Sequence, residues 1–208
     1  MKNLKNIFTL ALIATCMSSC TGFLDIEPET TLTGKNFYKS PDDIRSALYS
    51  TYASLRDNGL YSASIYLFGD VRSDVAFPNQ TNTFRHEIEK FTISANNSGN
   101  QNFWAHHYKG IIRANTVIEK GEELFSDDKA VQKYMAEARV LRGLFYFNLV
   151  RAYGGVPIIM DVPQEYTDSR GHVRASVEEV YVQILTDLTM AIESGNLYRS
   201  ANSGEKTP

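Results

Sequence analysis

Cysteine is almost missing from this sequence: the chain has two, Cys16 and Cys20, both within its first 20 residues. No disulfide can therefore hold the chain beyond that segment, and the folded region must be stabilised by buried apolar surface. Aromatic side chains can supply such surface, with 12 tyrosines and 11 phenylalanines. We expect most of these rings to lie in a core and a few to be available to a ligand.

Signatures of catalysis and of nucleic-acid binding are also missing. The sequence contains no HExxH, CxxC or GxSxG motif and no glycine-rich phosphate loop, so it predicts no metal site, no cofactor and no enzyme activity. Its basic residues form no cluster and its net charge is −3, which argues against a nucleic-acid partner. Asp70 and Asp74 lie four residues apart in a polar stretch, where a solvated loop is a better explanation than a catalytic pair.

The first 20 residues have the pattern of a secretory signal. Lysines precede an apolar run from Ile7 to Ala14, which is too short to span a bilayer as a stable helix. The run leads to Met17-Ser18-Ser19-Cys20, which resembles the lipobox of bacterial lipoproteins. We therefore predict that residues 1–19 are a signal peptide and that Cys20 carries a lipid. Attachment at Cys16 and ordinary cleavage elsewhere are the alternatives.

Residues 20–39 are predicted to be a tether and entry segment, and apolar periodicity predicts four long helices after it. We place the helices from about Pro41 to Arg56, Asn102 to Leu124, Asp128 to Tyr153 and Val177 to Ser194. Helices with apolar faces must stack on one another, so the predicted fold class is all-α. Leu185 and Ile192 on the last helix are expected to need a covering partner.

The third helix carries the most informative pattern. Apolar residues recur every three or four positions along one stripe, at Tyr134, Ala138, Leu141, Phe145, Leu149 and Ala152. Gly154 and Gly155 can close a helix in the left-handed conformation, and Pro157 cannot continue one, so the helix is predicted to stop abruptly.

The segment from Glu137 to Pro157 also resembles a known family. It matches the E-A-x-x-L-R-A-x-x-Y-F-x-L-V-x-x-Y-G-x-V-P segment of the SusD/RagB family of outer-membrane nutrient-capture lipoproteins, with Gly143 in place of the usual alanine. The segment from Arg113 to Ile118 resembles the same family's R-A-N-x-x-I motif. The start of the tether, Phe23-Leu24-Asp25, is similar to the family's F-L-D-x-x-P.

The resemblance implies a fold and a setting. It implies irregular tetratricopeptide-like helical repeats, with residues 40–208 forming an amino-terminal domain that is incomplete relative to the family. It also implies attachment to the outer membrane through the lipid, facing the exterior. The implied partners are a SusC-like TonB-dependent transporter and an oligosaccharide or other nutrient. Glycans, glycopeptides and peptides are all used in this family, so the ligand's identity stays open.

Residues 60–101 lack helical periodicity and are predicted to be a long irregular insert, with one short strand possible between Phe84 and Ile93. A sugar site needs aromatic faces for CH groups and amide, carboxylate or guanidinium groups for hydroxyls. Such side chains lie together in one stretch, at Arg72, Asp74, Phe77, Asn79 and Gln80. We take these five as candidate ligand-binding residues, although local loop contacts would explain each of them singly.

Two functional hypotheses follow. The first is a surface lipoprotein that captures a glycan or other nutrient and delivers it to the transporter. The alternative is a helical-repeat scaffold that caps the transporter and has no ligand site of its own.

Overall fold

The computed structural model describes residues 37–73, 75–78, 83–162 and 171–197. The predicted signal peptide, Cys20 and almost all of the predicted tether lie outside the described residues. The described helices are, in chain order, α1 (Pro41–Ser54), α2 (Ser64–Phe68), α3 (Thr83–Glu89), α4 (Ser98–Phe125), α5 (Lys129–Tyr153) and α6 (Val177–Glu193). The all-α prediction is confirmed.

The four long predicted helices correspond to α1, α4, α5 and α6. The α6 start has a capping box, in which Ser176 accepts from the Glu179 amide and the Glu179 side chain accepts from the Ser176 amide. The α5 stop is also as predicted, with Gly154 at a φ of 72°. Helix α4 begins four residues earlier than expected because the Asn97 side chain accepts the Asn100 amide at 3.0 Å and caps it.

The insert is more ordered than predicted. The prediction of a possible short strand between Phe84 and Ile93 is wrong, because Thr83–Glu89 forms helix α3. This helix is held by the buried Asn97, whose amide donates to the Phe84 carbonyl at 2.8 Å and to the Glu87 carboxylate at 2.8 Å. Leu67, Val71 and Ile88 form a small second core beneath these helices. The predicted irregular insert therefore contains two short helices, because side chains from α2, α3 and the α4 cap bury one another.

Helix α5 is central to the main core and packs against α4, α6 and α1. The residues of its predicted stripe from Ala138 to Leu149 are buried, and the helix adds Tyr146 at 0% exposure. The Tyr146 hydroxyl donates to the Ile159 carbonyl at 3.0 Å and accepts from the Ile159 amide at 2.7 Å. The chain that follows the helix is thus fastened back onto it.

The turn after α5 has no room for a side chain at Gly155. A Cβ there would lie 2.0 Å from the carbonyl oxygen of Ala175, on the segment that enters α6. Arg174 bridges the same approach, donating to the Gly155 carbonyl at 2.7 Å and to the Tyr153 carbonyl at 2.9 Å. Pro157 and Arg174 form an isolated antiparallel bridge. These contacts bring the start of α6 against the end of α5.

A buried ionic network joins α4, α5 and α6. Arg142 donates two hydrogen bonds to the carboxylate of Asp187, at 2.9 Å and 2.5 Å, and a third to the Asn115 side-chain oxygen at 2.8 Å. The Asn115 amide donates in turn to the Ile159 and Asp161 carbonyls, both at 3.0 Å. Arg142 and Asp187 are only 5% and 1% exposed. The hydrogen bonds of the network therefore replace those that water would make to the two charged groups.

One face of α6 has no neighbour among the described residues. Leu185 is 61% exposed and Ile192 is 70% exposed, so the partner expected for them is not supplied by the part of the chain that is described. Within that same part, no helix is long and apolar enough to cross a membrane.

We predict that Arg142→Ala lowers the free energy of unfolding by about 3–5 kcal/mol, because Asp187 becomes a buried charge without a partner. Urea unfolding followed by circular dichroism measures this. The control is Arg139→Ala on the same helix, whose pair with the half-exposed Glu122 should contribute less than about 1 kcal/mol. The double variant Arg142→Met, Asp187→Leu should regain much of the loss, and equal unfolding midpoints for wild type and Arg142→Ala would contradict the role given to the network.

A buried histidine makes stability depend on pH. His107 is fully buried, its Nδ1 lies 2.6 Å from the Phe103 carbonyl, and its Nε2 has no hydrogen-bond partner among the described residues. Loss of solvation in this apolar site lowers the pKa of His107 from 6.5 to about 4. The folded state therefore holds the neutral imidazole, whereas the unfolded chain takes up a proton below pH 6.5.

We predict that stability falls by about 3 kcal/mol as the pH is lowered from 6.5 to 4, because only the unfolded state gains the proton in that range. Unfolding midpoints measured at pH 7, 5.5 and 4.5 test this. His107→Gln should flatten the pH dependence, whereas His106→Gln, at the half-exposed neighbouring position, should change it little because His106 is the smallest of the causes that shift the His107 pKa. The same pH slope in wild type and His107→Gln would show that another group is responsible.

Candidate functional site

A cleft of about 290 Å³ lies between helix α2 with its following turn and the last turns of α5. It is lined by apolar residues, Ile65, Phe68, Phe103 and Ala152, and by polar or amphipathic ones, Tyr66, Asp70, Asn148 and Arg151. Its volume is at the lower end of the range of small-molecule sites, which starts at about 300 Å³.

Two rings in contact, Phe68 and Phe103, form the apolar floor of the cleft. Phe68 lies 4.3 Å from the buried Phe103 between ring centroids, and both rings lie 6.0 Å from that of Tyr153. Burial raises the pKa of Tyr153, so its hydroxyl stays protonated and donates to the Asn100 side chain at 2.9 Å. The floor is rigid because each ring is packed against another one.

The polar wall of the cleft comes from α5. Asn148 is 1% exposed, and its amide donates to the Tyr61 hydroxyl at 3.0 Å while its oxygen accepts from Arg151 at 3.0 Å. The Arg151 guanidinium also lies 4.5 Å from the centroid of the Phe147 ring. Arg151 is thereby held in one orientation at the exposed edge of the cleft.

Arg72 is the candidate residue that the structure places beside the cleft. Its guanidinium lies 5.7 Å from the Phe68 ring and 5.2 Å from the Phe91 ring, and it donates to the Ala152 carbonyl at 3.4 Å. Ala152 is in the last turn of α5, where carbonyl groups lack helical partners and favour a cation. The contacts of Arg72 therefore anchor the insert to the end of α5.

The structure does not place the other candidate residues at the cleft. Phe77 is 77% exposed, a large apolar surface left open to solvent. Asp74, Asn79 and Gln80 lie outside the described residues, so the predicted ligand set stays a prediction. Cys20 also lies outside them. Among the residues that are described, no three histidine, cysteine or acidic side chains cluster as a metal site would require.

Sequence reasoning missed Tyr66, Asn148 and Arg151. Asn148 did carry a signal, because it is a polar residue between Phe147 and Leu149 in an otherwise apolar helix segment. A buried polar residue in such a segment needs a hydrogen-bond partner. When that partner lies on another element, as Tyr61 does for Asn148, the hydrogen bond is a tertiary contact. Tyr66 had no comparable signal because α2 is too short to show a periodicity.

Known proteins resemble this chain over most of its length. The SusD-like family model described as "Starch-binding associating with outer membrane" matches residues 22–196. SusD-like protein P38 of Formosa agariphila is 29% identical over 199 residues, covering 92% of this chain and 38% of the relative.

Solved structures share the fold. A SusD homolog from Bacteroides thetaiotaomicron superposes with a TM-score of 0.67 at 26% identity, over 80% of this chain and 33% of that one. A laminarin-binding SusD-like protein superposes with a TM-score of 0.63 at 28% identity, over 75% of this chain and 34% of that one. The chain thus spans between a third and two fifths of the length of these relatives. Because the family model matches 22–196, this chain belongs to the SusD-like family, which is described as starch-binding and associated with the outer membrane.

Proposed function

We propose that the protein is a surface-exposed lipoprotein that binds a glycan and delivers it to a SusC-like, TonB-dependent transporter in the outer membrane. The observation that carries the proposal is the family match over 22–196, since that family is described as starch-binding. The structural likeness to a protein named as laminarin-binding supports a saccharide ligand in particular.

The predicted ligand residues are part of this proposal. Phe77 offers an exposed ring for the CH face of a sugar, and the polar side chains of Asp74, Asn79 and Gln80 follow or precede it closely in sequence. We assign Arg72 a smaller role in ligand binding, because its guanidinium already contacts the Ala152 carbonyl and two aromatic rings. The proposed activity is binding without turnover of the saccharide.

The second candidate function is a scaffold that caps the transporter without binding a ligand itself. The exposed apolar residues of α6 favour it, since Val182, Leu185 and Ile192 leave a surface that another protein could cover. Glycan binding separates the two candidates, because a pure scaffold has no saccharide affinity.

We predict that the full chain, purified in detergent, releases or absorbs heat when titrated with a neutral oligosaccharide from a panel of laminarin and starch fragments. Phe77→Ala should weaken the affinity by about ten-fold through loss of ring contact. Tyr49→Ala, which removes a half-exposed ring on α1, is the matched control and should bind like wild type. No heat with any panel member would favour the scaffold, and release of reducing sugar would contradict binding without turnover.

We also predict that Cys20→Ser moves the protein from the membrane fraction to the soluble fraction of the producing bacterium, because acyl chains supply the anchoring free energy. Immunoblots of the two fractions measure this. Cys16→Ser is the control and should remain in the membrane. If Cys16→Ser is the variant that becomes soluble, the lipid is attached at the competing cysteine.

A further inference from the structure

The cleft between α2 and α5 contains the chemical groups of a saccharide site, and Arg72 of the predicted ligand set lies beside it. We propose that this cleft is a saccharide subsite and that it takes a neutral sugar unit, with Tyr66, Asp70 and Arg151 as the contacting residues. The inference rests on the proposed function, since it names the place and the class of the glycan.

Apolar and polar groups are separated within the cleft as a sugar ring requires. Phe68 lines the floor with part of its surface exposed, the buried Phe103 packs against it, and Tyr66 also lines the cleft with 36% of its surface exposed. A pyranose presents CH groups on its faces and hydroxyls around its edge. Rings below and beside it would cover the faces, while the polar wall would meet the edge.

The polar groups at the rim are complementary, and the guanidinium of Arg151 is already oriented. Arg151 is fixed by Asn148 and Phe147, so little side-chain entropy is lost when its remaining N–H groups donate to a ligand. Asp70, which follows α2, is exposed and also lines the cleft, and its carboxylate binds no other described side chain. A donor and an acceptor facing one small space suit vicinal hydroxyls, each of which can both donate and accept.

The balance of charge favours a neutral ligand over an anionic one. Arg151 and Asp70 cancel formally, and the positive charge of Arg72 is directed at the Ala152 carbonyl. The last turn of α5 also contributes partial negative charge at this end of the cleft. A uronate or a phosphate would therefore meet the like charge of Asp70 and of the helix end, which a neutral sugar avoids.

Titration calorimetry of the full chain tests the proposal, with the neutral oligosaccharide of highest affinity in the laminarin and starch panel and with oligogalacturonate as the charged probe. We expect Tyr66→Ala, Asp70→Asn and Arg151→Gln each to raise the Kd of the neutral ligand by about ten-fold or more. Tyr49→Ala is the control for the ring and Arg139→Gln for the guanidinium, and both should bind like wild type. Circular dichroism spectra confirm that the rim variants are folded.

The outcomes separate this inference from the proposed function. If wild type binds a neutral glycan and all three rim variants bind equally well, the cleft assignment is wrong while glycan capture stands. Tighter binding of oligogalacturonate than of every neutral probe would overturn the neutral class. If no saccharide binds the wild type, the proposed function fails, and the subsite fails with it.

Discussion

The buried pair of Arg142 and Asp187 is the interaction on which the arrangement of the long helices depends. Apolar stripes alone would let α4, α5 and α6 slide or rotate against one another, because hydrophobic burial has little directional preference. The Arg142 guanidinium allows few other positions of these helices, since it must reach both oxygens of Asp187 and the Asn115 side chain at once. Asn115 extends the constraint to the Ile159 and Asp161 carbonyls, and so to the chain that leaves α5.

This constraint reaches the cleft through α5 itself. Asn148 and Arg151 follow Arg142 by six and nine residues on the same helix, so fixing the rotation of the helix also fixes which way they face. Hydrogen bonds such as those of Arg72 to the Ala152 carbonyl and of Asn148 to the Tyr61 hydroxyl then hold the insert against the helix. The cleft thus has one wall set by the core and another set by polar contacts of a connecting segment.

The sequence predicts the wall formed by the long helix α5 better than the wall formed by the insert. Long helices with regular stripes are predictable, as the positions of α1, α5 and α6 show, because 3.6-residue periodicity is a local property. The network was not predicted, since Asp187 resembles any polar residue of α6 until its neighbour across the interface is known. The same holds for α3, where Asn97 supplies from outside the helix the contacts that decide helix over strand. For the candidate site, the sequence indicates only a stretch rich in polar residues. Tyr66 and Arg151 are far apart in sequence and line the same cleft only in the tertiary structure.

Helix α5 also links the cleft to the open face of α6. Arg151 lies over Phe147, and the Phe147 ring meets that of Tyr181 edge-on at 6.5 Å between centroids. Tyr181 and Val182 belong to the exposed part of α6, so two open surfaces share one chain of ring contacts. Because α5 is packed on several sides and pinned by an ionic network, neither surface has to order itself before contacting a partner. Preorganisation of this kind reduces the entropy lost on association, which matters most for shallow sites that bury little area. A small fold with a modest cleft can therefore offer a defined surface, and the rigidity comes from polar contacts in its core.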